Sequence, residues 1–257
     1  MKVVILAGGF GSRIGEETEI KPKPMVEIGG KPILWHILQL FSAYGLNQFV
    51  IALGSKGELV KRYLVDYVTL QSNLTVNLGN GQVTMHDKPN QEWLVELIDT
   101  GMATQTGGRI KKLAPFLNNE TFLLSWGDCL SDVDLNRLIA FHRAHGKLAT
   151  ITVVRPTARY GAMTFDGNQV TEFSPQPQFK DGWMNGGYFV LEPGIMEYID
   201  GDDVVWEDKP LARLAADGQL MAYKHESFWY CLDTARERHV LETLWQSGQA
   251  PWKKRED

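Results

Sequence analysis

The chain has 257 residues, a formal net charge of −5 and 44% hydrophobic residues, which is ample for a sizeable core in one large α/β domain. The acidic balance excludes the basic field that nucleic-acid binding needs, and no apolar run approaches the ~20 residues of a membrane-crossing helix. Only two cysteines occur, Cys129 and Cys231, so no disulfide framework is expected. Lys2 is followed by five apolar residues and then glycines, too short a run for a secretory leader. A soluble, cytoplasmic protein is expected, with small-molecule partners and neither nucleic acid nor membrane.

In chain order, residues 3–7 (Val-Val-Ile-Leu-Ala) predict a short buried strand. Residues 33–43 predict a helix that starts after Pro32 and stops at Gly45, residues 48–53 a second strand, and residues 57–67 a helix. Residues 74–79 and 83–86 flank Asn80-Gly81, a hairpin signal. A strand is predicted over 93–100, a helix over 110–117, a strand over 121–125, a helix over 135–145 and a strand over 149–154. This alternation argues for a mixed, mostly parallel sheet with helices on both faces and ligands at the strands' carboxyl ends. The second half reads as more antiparallel. It has a hairpin of 161–165 and 170–173 about Asp166-Gly167-Asn168, and strands over 185–191 and 219–224. Helices are expected over 196–200, 210–217 and 237–248, the last after a strand and turn at 228–234. The reading is one domain over 1–257, with a nucleotide-binding half to about 135 and an acceptor-binding half beyond.

The first strand runs into Leu6-Ala7-Gly8-Gly9-Phe10-Gly11-Ser12-Arg13, followed by Lys21-Pro22-Lys23-Pro24-Met25. Glycines let backbone N–H groups approach a ligand, and Arg13 and Lys23 add fixed cations, so the segment suits a polyphosphate. It is not the dinucleotide fingerprint, because Ile14 stands at the third glycine position, and it is not a P-loop, because no Gly-Lys-Ser/Thr follows. Ile14 and the two cations also disfavour a dehydrogenase. Two aspartates are candidates for Mg²⁺: Asp128, after Gly127 at the end of a strand, and Asp233, after the apolar stretch from Phe228. Asp132, Asp134 and Asp166 read as turn residues. A second glycine pair in Thr104-Gln-Thr106-Gly107-Gly108-Arg109 reads either as a helix cap or as a base- or phosphate-binding turn. His142 and His145 share a helix face without a carboxylate or cysteine cluster, and read as structural. Cys129 and Cys231 read as small buried residues.

The pattern L-A-G-G-x-G-[ST]-R followed by K-P-K-P-M resembles the signature of the sugar-phosphate nucleotidyltransferases. Glu27 to His36, Asp99-Thr-Gly101, Thr106 to Arg109, Phe141 to Gly146, Arg159 to Ala162, Asn185-Gly-Gly187 and Phe228-Trp229 resemble the glucose-1-phosphate cytidylyltransferases, in order, from Met1 to about Trp252. The resemblance implies a Rossmann-like nucleotidyltransferase fold and transfer of a cytidylyl group from CTP to glucose 1-phosphate, giving CDP-glucose and pyrophosphate. It implies Mg²⁺ on Asp128 and Asp233, with Arg13 on the leaving pyrophosphate and Lys23 on the α-phosphate. Leu6 to Ser12 and Gly127 would hold the nucleotide, Thr104 and Arg109 the cytosine, and Tyr160, Gly161, Asn185 and Trp229 the acceptor, with Trp183 nearby. An arginine on cytosine O2 meets an atom that uracil shares, so it does not by itself secure the base. Such enzymes are often oligomeric, and the segment from Leu70 to Gln91 is the expected interface element of a homo-oligomer. They serve bacterial surface-polysaccharide or deoxysugar synthesis.

One stretch departs from the family. Where the family reads F-x-E-K-P, this chain reads Phe173-Ser174-Pro175-Gln176-Pro177. The glutamate that holds sugar hydroxyls and the lysine that holds the acceptor phosphate are both missing. Such a loss costs about 1.5–3 kcal/mol, or ten- to a hundredfold in affinity. Three readings stay open: a compensated glucose-1-phosphate site, with Lys180 as one substitute cation; another phosphorylated acceptor; or a nucleotide sensor without turnover.

Overall fold

The computed structural model describes residues 1–9, 21–88, 90–155, 162–166, 169–174 and 182–253. The first half runs β1 (Val3–Leu6), a 3₁₀ turn (Lys23–Met25), β2 (Glu27–Ile28), β3 (Lys31–Pro32), α1 (Ile33–Ser42), β4 (Gln48–Leu53), α2 (Gly57–Leu70), β5 (Leu74–Asn77), β6 (Gln82–Met85), β7 (Leu94–Asp99), α3 (Thr106–Leu113), β8 (Phe122–Trp126) and β9 (Cys129–Ser131). It continues with α4 (Leu135–His145), β10 (Ala149–Val154), β11 (Ala162–Asp166), β12 (Gln169–Ser174), β13 (Met184–Leu191), α5 (Lys209–Ala216), β14 (Leu220–His225), β15 (Trp229–Cys231) and α6 (Ala235–Gln246).

Seven strands form one sheet in the order β14-β10-β13-β8-β1-β4-β7. Only β13 runs against its neighbours; the other pairings are parallel. Alternation along the strands divides the core in two. Val3, Ile5, Phe49, Ile51, Leu123 and Tyr188 face α1, α2, α4 and α6. Val4, Val50, Leu124 and Phe189 face α3 and α5. Each fully buried Val, Leu, Ile or Phe contributes about 1.5–3 kcal/mol, so both faces hold their helices mainly by apolar burial. Among the described residues no helix is long and apolar enough to cross a membrane.

Some elements differ from the sequence expectation. The helix expected from residue 110 begins at Thr106, with both glycines in its first turn. A Cβ on Gly107 would lie 2.7 Å from Val204 O, and one on Gly108 2.6 Å from Asp202 Cα. The glycines therefore let this helix lie directly on the backbone of 202–204, to which Gly107 N–H donates. The same helix stops at Leu113 and tightens to a 3₁₀ turn carrying a proline in its first positions. The helix expected over 196–200 is a 3₁₀ turn started by Pro193. The β2–β3 and β9–β15 ribbons are too short for their periodicity to be read. The hairpin about Asn80-Gly81 forms as expected, with Asn77 opposite Gln82 and Gly81 at φ +73°.

His36 sits at the centre of an aromatic cluster with Trp35, Trp245 and Trp252. It is 1% exposed, with Nε2 2.8 Å from Ile28 O and Nδ1 accepting from Trp252 Nε1 at 3.3 Å. Burial holds its pKa down at about 4, against an ordinary 6.5. The unfolded chain therefore takes up this proton first, and stability falls as the pH drops from about 6.5 to 4, by about 3 kcal/mol at most. His36→Gln keeps a donor for Ile28 O and removes the titration. Urea unfolding across this window is expected to show a shallower pH slope in the variant; an unchanged slope rejects the assignment.

Candidate active site

Four neighbouring parallel strands, β8, β1, β4 and β7, end on one rim. β1 gives way to Ala7-Gly8-Gly9, β4 to Gly54, β7 to Thr100-Gly101 and β8 to Gly127-Asp128. Gly127 packs on the end of β1: a Cβ there would lie 2.5 Å from Leu6 O and 3.1 Å from Pro24 Cγ. The β9–β15 ribbon starts at once after Asp128, and Leu232 N–H donates to Asp128 O at 2.8 Å. The ribbon thereby carries Asp233 back to Asp128.

Lys23 joins the two. Pro22 and Pro24 brace its 3₁₀ turn, Pro24 and Met25 are buried, and Met25 N–H donates to Pro22 O at 2.8 Å. The Lys23 ammonium lies 3.1 Å from Asp128 Oδ2 and 2.6 Å from Asp233 Oδ1, with all three side chains mostly buried. Burial pulls the lysine's pKa down, but Asp128 and Asp233 together outweigh it and hold it above its ordinary value. The carboxylates are thus close enough for one cation to touch both, a donor set that suits Mg²⁺ with its preference for few carboxylates plus substrate phosphates.

Arg109 is 4% exposed and ties three strand ends together. Its guanidinium donates to Leu53 O at 3.0 Å, Thr100 Oγ1 at 2.6 Å, Gly101 O at 2.9 Å and Gly8 O at 3.0 Å. Gly8 and Gly54 make room for it, since a Cβ on either would lie 2.4 or 2.6 Å from Arg109 Nη1. Thr104 donates to Thr100 O at 2.6 Å and accepts from Lys112 at 3.1 Å. Both groups expected to face a base spend these hydrogen bonds on the floor beneath it. Phe10, Gly11, Ser12 and Arg13 lie outside the described residues, as do Tyr160, Gly161, Pro175, Gln176, Pro177 and Lys180.

Asn185 and Trp229 meet at Gly186. Trp229 Nε1 donates to Gly186 O at 2.7 Å, and Asn185 Oδ1 accepts from Gly187 N at 2.8 Å. Trp126 lies on Gly187, whose φ of +77° only glycine adopts readily. It is held there by Glu207, which also accepts from Thr106. Trp126 and Glu207 escape sequence reasoning because their pairing spans 81 residues. Asn185 and Lys224 both register with Val153, so they share a sheet face. At the same rim Arg155 and Lys224 stand 4.7 and 5.4 Å from the centre of the Trp183 ring. His142 and His145, by contrast, bond Thr150 at 2.8 and 2.7 Å, a structural role.

Carboxylates gathered at a glycine-lined rim, with a lysine already between them, define a machine for moving a phosphate-linked group. The chain belongs to the nucleotidyl transferase family, whose model it matches over residues 2–230. It is 46% identical over 254 residues to the glucose-1-phosphate cytidylyltransferase of Salmonella typhi, covering 98% of this chain and 99% of that one. It is 40% identical to the probable glucose-1-phosphate cytidylyltransferase of Bacillus subtilis, with the same coverage. Among solved structures, HddC from Yersinia pseudotuberculosis matches with a TM-score of 0.71 at 22% identity, over 95% of this chain and 99% of that one, which shows the fold. Enzymes of this family are generally dependent on a divalent metal.

The close packing at Gly127 gives a direct test. Gly127→Ala must push β1 and β8 apart, at about 1–3 kcal/mol. Calorimetry is expected to show a lowered Tm together with loss of activity as Asp128 shifts. A variant as stable and as active as the parent rejects the assignment.

Proposed function

We propose that the chain transfers a cytidylyl group from CTP to glucose 1-phosphate, yielding CDP-glucose and pyrophosphate. The observation that carries this is the Lys23–Asp128–Asp233 cluster at the carboxyl rim of a chain 46% identical, end to end, to a glucose-1-phosphate cytidylyltransferase. The part up to about residue 135 binds the nucleotide and the remainder the acceptor, within one domain.

Asp128 and Asp233 are the residues that would hold Mg²⁺, which when bound supplies positive charge against the triphosphate. Lys23, released from the pair, turns to the α-phosphate. Arg13 receives the leaving pyrophosphate, and Leu6, Ala7, Gly8, Gly9, Phe10, Gly11, Ser12 and Gly127 cradle the nucleotide. Arg109 and Thr104 position the loop that receives the cytosine. Tyr160, Gly161, Asn185 and Trp229 hold the sugar. The acceptor's phosphate oxygen forms a bond to the α-phosphorus while the bond to the bridging oxygen opposite breaks. No covalent enzyme intermediate is needed, because that oxygen is a competent nucleophile once aligned.

Arg155 and Lys224, gathered on Trp183 beside Asn185, supply the cationic charge missing at Pro175-Gln176. A second reading keeps the nucleotide half and changes the acceptor to another phosphomonoester; the same Pro175-Gln176 stretch favours it.

The protein acts in the cytoplasm, as a homo-oligomer whose contact lies on α2 and the β5–β6 hairpin. In support, Val65, Leu70, Leu78 and Met85 are exposed there, and Val65 and Met85 line a groove of about 410 Å³ together with Leu64, Val68 and Trp93. Sedimentation of Leu70→Lys/Leu78→Lys is expected to shift toward the monomer; an unchanged distribution removes this interface.

The main test is pyrophosphate release with Mg²⁺ and CTP against glucose 1-phosphate and other phosphomonoesters. Asp128→Asn is expected to lower kcat about a hundredfold or more, with far less effect on nucleotide affinity. Lys224→Ala and Arg155→Ala are expected to raise KM for glucose 1-phosphate by about tenfold each. Release only with another acceptor selects the second reading, and a surviving kcat in Asp128→Asn rejects the metal assignment.

A further inference from the structure

Donors of a second chemical type converge beside the aspartates. Asp128 Oδ, Cys129 Sγ and Cys231 Sγ lie within 4.8 Å of one another. The β9–β15 ribbon puts them there, with Cys129 directly opposite Cys231. Leu232 N–H donates to Asp128 O and Asp132 N–H to Phe228 O. Counting inward from those bonds, 129 and 231 form a non-hydrogen-bonded pair, the kind whose side chains stand closest on a common face. Asp128 divides its carboxylate between the two chemistries: Oδ2 faces Lys23 at 3.1 Å, while Oδ1 accepts from the Cys129 thiol at 3.6 Å. Cys129 is fully buried, whereas Cys231 and Asp128 are half-buried and leave an entry on their side.

We propose that Asp128, Cys129 and Cys231 form a binding site for a thiophilic divalent cation of the zinc or cadmium class, overlapping the hard-cation site at Asp128. Two thiolates and one carboxylate select such an ion, where two carboxylates and a triphosphate select magnesium. A tetrahedral ion holds its ligand atoms about 3.8 Å apart, within reach of these donors after a small rotation of Cys231 and Asp128. On binding, two S–H bonds release their protons to solvent, two sulfur–metal bonds and one oxygen–metal bond form, and water completes the shell with no change in oxidation state. An ion held there engages Asp128 and inhibits transfer. Neither thiol serves the transfer reaction itself.

The test titrates the purified chain with cadmium, in the presence of a phosphine reductant and without magnesium. The signal is the sulfur-to-cadmium charge-transfer absorption, read without turnover. One equivalent is expected, with affinity at least about tenfold weaker in Cys231→Ser, since even supporting residues of a metal site are worth that much. Zinc added to the magnesium-loaded enzyme is expected to inhibit the parent and to spare Cys231→Ser, whose basal activity is unchanged. Should that variant fail to fold, alkylation of Cys231 in the parent chain replaces it, and saturating cadmium is expected to protect the thiol. Cadmium saturation without the absorption band, an equal band in Cys231→Ser, unprotected Cys231, or conversion of the pair to a disulfide in place of metal uptake overturns the proposal.

Discussion

Two ionised carboxylates in a mostly buried place need a cation between them, and Lys23 supplies it. Its ammonium touches Asp128 and Asp233 from 105 and 210 residues away in the chain. Removing Lys23 from this cluster leaves two facing carboxylates without their counter-charge, a loss that costs about 3–5 kcal/mol when such groups are buried. The lysine's own pKa records the balance: burial works against the charged form, and the two aspartates overcome it. Everything around this contact fixes its members. The prolines set the lysine's turn, Gly127 lets β8 reach the end of β1, and the β9–β15 ribbon returns Asp233 to the rim.

Arg109 does for the backbone what Lys23 does for the side chains. Parallel strands end with carbonyls that have no partner in the sheet, and a buried carbonyl without a donor is costly. Arg109 answers those of Gly8 and Gly101, shares Leu53 O with Thr100 N–H, and so clamps β1, β4 and β7 into one floor. The two interactions are linked through the glycine turn. Gly8 leaves room for the arginine on one side, and β1 leads from it toward the contact with Gly127 on the other.

Much of this was legible in the chain because the signals are local. A β-branched run into glycines, prolines around a lysine, and apolar alternation each speak within a dozen residues, and they placed the sheet, α1, α4 and β10 correctly. What stayed hidden depends on contacts distant in sequence. Asp128 stands out by the glycine before it and the strand it ends, but its meeting with Asp233 depends on the β9–β15 ribbon, three residues a side. Gly107 and Gly108 read as either a helix cap or a ligand-binding turn, because their neighbour, the backbone of 202–204, lies almost a hundred residues on. The bonds of Arg109 to Gly8, Leu53 and Gly101 stayed hidden because those carbonyls belong to other strands.

The reversed strand β13 accounts for the place of Asn185. In a wholly parallel sheet, one rim gathers carboxyl ends alone, and every residue on it follows a strand. Because β13 runs the other way, its beginning comes to that rim, so Asn185, Gly186 and Gly187 sit among the ends of β8 and β10. Gly187 then leaves space that Trp126 fills, while Gly186 packs on Val154 and accepts from Trp229 Nε1. Register does the rest. Val153 pairs with Asn185 on one side and with Lys224 on the other, which sets a hydrogen-bonding amide and a cation on the same face, one strand apart. A chain that reads Gln176 where the family has lysine therefore carries the Lys224 charge on the same face as Asn185. It is placed there by the pairing of strands, which alignment of the Phe173 to Pro177 segment alone does not show.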